Sequence, residues 1–151
     1  IYLVKTIIQM NTVYKIIQND YIKRVLNKHN LVNEDELINE LKKKFKNLRI
    51  IDEEFEYLPI FTKYKIFNSA KLIISQYKHE LSNIIFANQD CILIQIVSEI
   101  SLSEKIPNIF YTSLANIFNI KNYEYKTPEH NINLNLQDFF DFTDNIIKKI
   151  I

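Results

Sequence analysis

A chain of 151 residues with 47% hydrophobic content can bury one core, covering about 70% of the surface its unfolded chain exposes, without disulfide or metal staples. Nineteen basic residues nearly cancel eighteen acidic ones, so the net charge of +1 excludes a dominant field toward nucleic acid, membranes or acidic substrates. The lone Cys91 excludes an intrachain disulfide, and the absence of glycine, where ordinary usage gives about ten, argues against Rossmann, Walker and nucleophile-elbow loops, which need positive φ or close backbone approach.

From Leu3, the apolar positions Ile7, Met10, Tyr14, Ile17 and Tyr21 alternate in steps of three and four, which predicts an amphipathic helix. Lys5, Gln9, Asn11 and Lys15 interrupt this stretch before a secretory h-region can form. Ile1 is not Met, and sequence before it is left open. Asn33 with Glu36 reads as a capping box opening a helix with Leu37, Leu41, Phe45 and Leu48 inward. Its first turn holds Glu34, Asp35 and Glu36 and its end holds Lys42, Lys43, Lys44 and Lys46, matching the helix dipole at both poles.

Pro59 suits the first turn of the next helix. Phe67, Ala70, Ile74, Tyr77, Leu81 and Ile84 continue the three-four alternation. Asp90 is placed to cap a helix carrying Leu93, Ile94, Val97 and Ile100; the β-branched run from Ile92 to Val97 also suits a buried strand, but the helical neighbours favour helix. Pro107 ends that element, and Thr112 caps a short helix with Leu114, Ala115, Ile117 and Phe118 inward. Residues 122–133 read as the longest loop, in which Tyr123 and Tyr125 can contribute a short strand or wing. Asn135, with Asp138 three residues on, opens a final helix with Phe139, Phe142, Ile146 and Ile150 on one flank, widened by Leu136, Phe140, Ile147 and Ile151. Asp144 is placed to pair with Lys148.

No catalytic or metal constellation is read from these residues. His29, His79 and His130 lie at no metal-ligand spacing from one another or from Cys91, and Asn83 stands where a zinc-protease helix beginning at His79-Glu80 needs its second His. Glu53 with Glu54 and Asp141 with Asp144 read as solvated carboxylates. The basic run from Lys42 to Arg49 reads as a helix end complementing its dipole. The last helix is apolar around much of its circumference, so it either docks on its own domain or enters a bundle made with partner subunits.

The segment Glu104-Lys105-Ile106, followed by the run from Phe110 to Ile120, resembles a PCI domain where a helical repeat enters its winged helix. The run from Phe139 to Ile147 is similar to the closing helix of a small PCI subunit of the proteasome lid. The resemblance implies an all-α chain: a helical domain over 1–134, with helix pairs over 1–90 and a winged-helix-like part over 91–134, then a partner-binding helix over 135–151. It implies a non-catalytic structural subunit of a large assembly in the cytoplasm or nucleus. Other protein subunits would bind through Phe139, Phe140, Phe142, Ile146, Ile147 and Ile150, with Phe110, Leu114 and Phe118. No small-molecule substrate, cofactor, metal, membrane or nucleic acid enters this reading. The competing non-enzyme expectation is a poxvirus-type Bcl-2-like bundle that holds an amphipathic helix in an apolar groove. An enzyme would instead reveal itself by buried, pKa-shifted groups converging in a cleft.

Overall fold

A computed structural model describes residues 6–9, 31–46, 48–51, 55, 57–76, 79–98, 107–128 and 133–149. Strands and helices alternate along them. Strand β1 (Thr6–Gln9) is followed by helix α1 (Glu34–Lys44), β2 (Leu48–Ile50), α2 (Ile60–Asn68) and β3 (Leu72–Gln76). A 3-10 segment (His79–Phe86), β4 (Ile92–Ser98), α3 (Pro107–Ile117), β5 (Lys121–Thr127) and α4 (Leu136–Lys148) complete the order. Among the described residues the strands form one sheet in the order β2-β1-β3-β4-β5, and every pairing is parallel.

The all-α expectation is therefore wrong, and burial on both sheet faces explains why. A strand covered on both sides loses the alternation that marks a half-exposed one and reads as a continuous apolar run. All five residues of β3 are buried, as are Ile92 to Val97 of β4. The stripe from Phe67 to Ile84 is not one helix: it crosses the end of α2, the whole of β3 and much of the 3-10 segment. The stripe beginning at Leu3 contains β1, and its continuation to Tyr21 lies outside the described residues. Among the described residues of 91–134 there is no winged helix: β4, α3 and β5 form a strand-helix-strand unit. Pro107 opens α3 where an end was expected, and Thr112 lies within that helix.

Two apolar layers hold the sheet. On one face, Leu72 and Ile74 of β3 and Ile92, Ile94 and Ile96 of β4 pack with Leu37 and Leu41 of α1 and Phe139, Ile146 and Ile147 of α4. On the other, Ile73 and Leu93 pack with Phe67 of α2, Leu81 and Ile84 of the 3-10 segment, and Tyr111 and Ala115 of α3. Odd and even residues of β3 and β4 thus serve opposite layers, as strand geometry requires. Each large apolar side chain so buried contributes roughly 1.5–3 kcal/mol. The polar edge strand β5 adds Tyr123 and Tyr125 to the α1/α4 layer, while Lys121 and Lys126 stay exposed and discourage further pairing at that edge.

Asparagine does the turning that glycine would otherwise do. Asn119 has φ of 57°, the left-handed region. The amide of Ile120 donates to the carbonyl of Ala115 at 2.8 Å and that of Asn119 to Asn116 at 3.1 Å, the paired bonds of a Schellman ending. Asn33 does not form the expected capping box, since its side chain makes no bond to the start of α1. Its carboxamide instead brackets Leu134, donating to that residue's carbonyl and accepting from its amide, each at 2.8 Å. Asn135 does cap α4, accepting from the Asp138 amide at 3.2 Å. Asp144 pairs with Lys44 across the α1/α4 seam at 2.5 Å, and Asp90 pairs with Lys71 at 3.4 Å.

Candidate functional site

The strand order locates a site before any side chain is considered. From β1 the chain moves outward to β2, then returns past β1 to place β3 on its other side. The connection carrying α1 packs on one sheet face and those carrying α2, the 3-10 segment and α3 on the other. Where the winding reverses, adjacent connections leave the strands in opposite directions and open a crevice at the carboxyl edge, here between β1 and β3.

Polar residues interrupt the apolar strands as they approach this edge. β3 reads Leu72-Ile73-Ile74-Ser75-Gln76, with Ser75 in register with Gln9 of β1 and Gln76 with Ile96 of β4. Ser75 is fully buried, and its hydroxyl donates to the Gln76 carbonyl at 2.5 Å. Gln76 is 4% exposed, and its Nε2 has no hydrogen-bond partner among the described residues. An unpaired buried donor costs about 1–3 kcal/mol. By strand alternation its side chain lies on the α1 side of the sheet with Leu72 and Ile74. At the end of β5, Thr127 is in register with Ser98, and its hydroxyl donates to the Val97 carbonyl at 3.4 Å.

A second polar group, between β4, β5 and α3, is internally satisfied. Gln95, 1% exposed, donates through Nε2 to Asn122 Oδ1 at 2.8 Å and to Thr112 Oγ1 at 3.2 Å. Asn122 Nδ2 also donates to Thr112, whose hydroxyl passes a bond to Glu124 at 3.0 Å. This closed network fixes α3 against β4 and β5 and leaves its members committed to one another.

Cys91 lies at the opposite, amino end of β4 and is fully buried. Burial pushes its thiol up to about 12, against smaller lowering influences from Lys71 and the Ile92 backbone. It is a neutral packing group, not an activated nucleophile. Among the described residues, no three His, Cys, Asp or Glu side chains could share a metal ion, and no helix is long and apolar enough to cross a membrane. His29, His130, Glu53 and Glu54 lie outside the described residues, as does the side chain of His79. Lys43 is paired with Glu40 at 2.6 Å. An open groove of about 500 Å³ between α1 and α4 is lined by Glu36, Asn39, Glu40, Lys43, Leu136, Gln137 and Phe140.

The residues expected to bind partners fall into two groups. Phe139, Ile146 and Ile147 are buried in the α1/α4 layer, and Phe140 and Phe142 are partly buried against it. Phe110 and Phe118 are exposed, and Leu114 packs partly against the other layer. Ile150 lies outside the described residues. Among the described members, none lies on β1 or β3, the strands that border the change of winding. Ser75 and Gln76 are not among the residues that the helical periodicity singles out, although a polar pair closing a β-branched apolar run marks a buried strand reaching a sheet edge.

An open, all-parallel sheet with helices on both faces and a reversal of winding defines a doubly wound α/β protein, a class that takes small ligands at the carboxyl edge. The family model for glycosyltransferase 61 matches residues 7–94, more than half of the chain and from β1 into β4. The chain belongs to the glycosyltransferase 61 family. No curated protein and no solved structure matches it. Family membership overturns the PCI resemblance and the structural-subunit reading, and gives the Bcl-2-like alternative no support. It also replaces the expectation of a non-enzyme lacking a small-molecule substrate, because a glycosyltransferase acts on a sugar donor and an acceptor.

Proposed function

We propose that this chain forms a sugar-donor-binding α/β unit of a glycosyltransferase, with the donor held at the carboxyl edge between β1 and β3. The observation that carries the reading is the coincidence of two facts: the family match begins in β1 and ends in β4, and the strand order reverses within that span. In the reaction, an acceptor hydroxyl oxygen forms a bond to the donor's anomeric carbon. The bond from that carbon to the leaving phosphate breaks, its electron pair departing with the phosphate, and the hydroxyl proton passes to a base.

The described residues supply the setting for this chemistry. The dry apolar sheet beneath the edge strengthens every polar contact made there and keeps water from competing with the acceptor. Buried Ser75 and Gln76 place polar groups beside β1 without adding charge. α1 disfavours phosphate at its own N-terminus, because Glu34, Asp35 and Glu36 occupy its first turn. α2 and α3 carry no acidic residue there, so the phosphates are better accommodated toward the half of the edge away from α1.

Calorimetric titration of the full chain with uridine and guanosine diphosphates and their hexose conjugates tests the reading. Saturable binding in the range of about 1 μM to 1 mM is expected for at least one sugar nucleotide. Absence of binding across the panel would refute it.

A further inference from the structure

We propose that Gln76 is a binding residue for the donor, its carboxamide Nε2 donating to an uncharged oxygen of the sugar or the nucleobase. This rests on the glycosyltransferase reading above and assigns one contact within it.

Three observations converge on this residue. Gln76 ends β3, which borders the reversal of strand order. Its Nε2 has no partner among the described residues although the side chain is 96% buried, the complement of its 4% exposure. Buried donors in native proteins are nearly always satisfied, so an orphan at the carboxyl end of β3, beside the change of winding, marks a contact that a ligand can complete. The electrostatics then narrow the ligand atom. Glu34, Asp35 and Glu36 crowd the first turn of α1, the helix on Gln76's side of the sheet, and three carboxylates there repel a phosphate. An amide donor in such a field suits a hydroxyl or carbonyl oxygen, which brings no negative charge. Ser75 faces the other layer and already donates to the Gln76 carbonyl, so the contact falls to the carboxamide alone.

The test compares the 151-residue chain with its Gln76→Met variant, which keeps the length of the side chain and removes its polar atoms. Removing an unsatisfied donor from a buried site relieves its desolvation, so the melting temperature of the unliganded protein should hold or rise by a few degrees. Affinity for the sugar nucleotide bound by the wild type should fall by about tenfold or more. Parallel titrations with the nucleoside diphosphate alone separate the two oxygen sources. An equal loss for both ligands supports the nucleobase, and a loss confined to the sugar nucleotide supports the sugar. If wild type binds a sugar nucleotide and Gln76→Met binds it equally well, the assignment fails while the functional reading stands. If Gln76→Met melts well below wild type, Gln76 has a structural role and the assignment also fails. If wild type binds no member of the panel, both fall together.

Discussion

Replacing Phe139 with alanine should remove about 3–5 kcal/mol of folding stability, the range for large aromatic truncations in a closed core. The ring is fully buried between α4 and the sheet. It meets Tyr125 of β5 edge-on at 5.3 Å and its neighbour Phe140 at 5.7 Å. Burial of a whole phenyl group at about 25 cal/mol per Å² supplies most of the loss, and each aromatic pair adds roughly 0.5–1.5 kcal/mol. Against a total stability of about 5–15 kcal/mol, such a loss leaves the variant markedly weakened. With a urea slope near 2 kcal/mol per M, the midpoint should drop by about 2 M. Phe118→Ala provides the control: this side chain is 40% exposed, so its loss should stay within about 0.5 kcal/mol. Equilibrium unfolding followed by circular dichroism measures both. Equal midpoints for wild type and Phe139→Ala would refute the placement of α4 as an integral layer and return it to the status of an appendage kept for other proteins.

Cys91 should resist thiol reagents at pH 8 until the protein is unfolded, as measured by native and denatured labelling rates. Because its folded pKa of about 12 lies above the ordinary 9.0, its stabilising contribution is complete below pH 9 and lost as pH rises toward 12, so Cys91→Ala should flatten the alkaline loss of stability. Asn119→Gly should raise the melting temperature slightly and Asn119→Ala should lower stability by about 1 kcal/mol, since only the latter strains a left-handed backbone. Asn33→Ala should cost roughly 1–3 kcal/mol by orphaning the Leu134 amide and carbonyl it brackets, read by urea unfolding. Lys44→Met should cost under about 1 kcal/mol, because the ion pair with Asp144 is partly exposed and screened; a larger loss in a double-mutant cycle would contradict this.

The two helices flanking one sheet face were legible because each has a solvated side. α1 shows its apolar stripe and its charges at the correct poles, and α4 shows its Asn135 cap and its repeat. The sheet was not legible for the complementary reason. Ile92 to Val97 carries no alternation because both faces are covered, and helical neighbours on either side made helix the natural reading. In β3, apolar residues at steps of three and four joined those of adjacent elements by coincidence. Only Tyr123 and Tyr125, on an edge strand with one wetter face, kept a visible period of two. Zero glycine misled most. It excludes particular phosphate-binding turns, yet parallel strands can be joined by longer connections, and Asn119 shows that asparagine can take a left-handed position. The candidate site was hidden with the sheet, because Gln76 has meaning only once β1 and β3 are known to be neighbours across a change in winding direction.

The Asn33 bracket ties residues separated by 101 positions. A chain emerging from the ribosome can wind α1 early, but the partner that completes this bracket is made more than a hundred residues later. Until Leu134 has been synthesised, the apolar flank of α1 awaits the helix that follows it. This ordering delays closure of that layer until the last element of the described fold is in reach, and it makes truncations before Leu134 disproportionately damaging to a helix made about a hundred residues earlier.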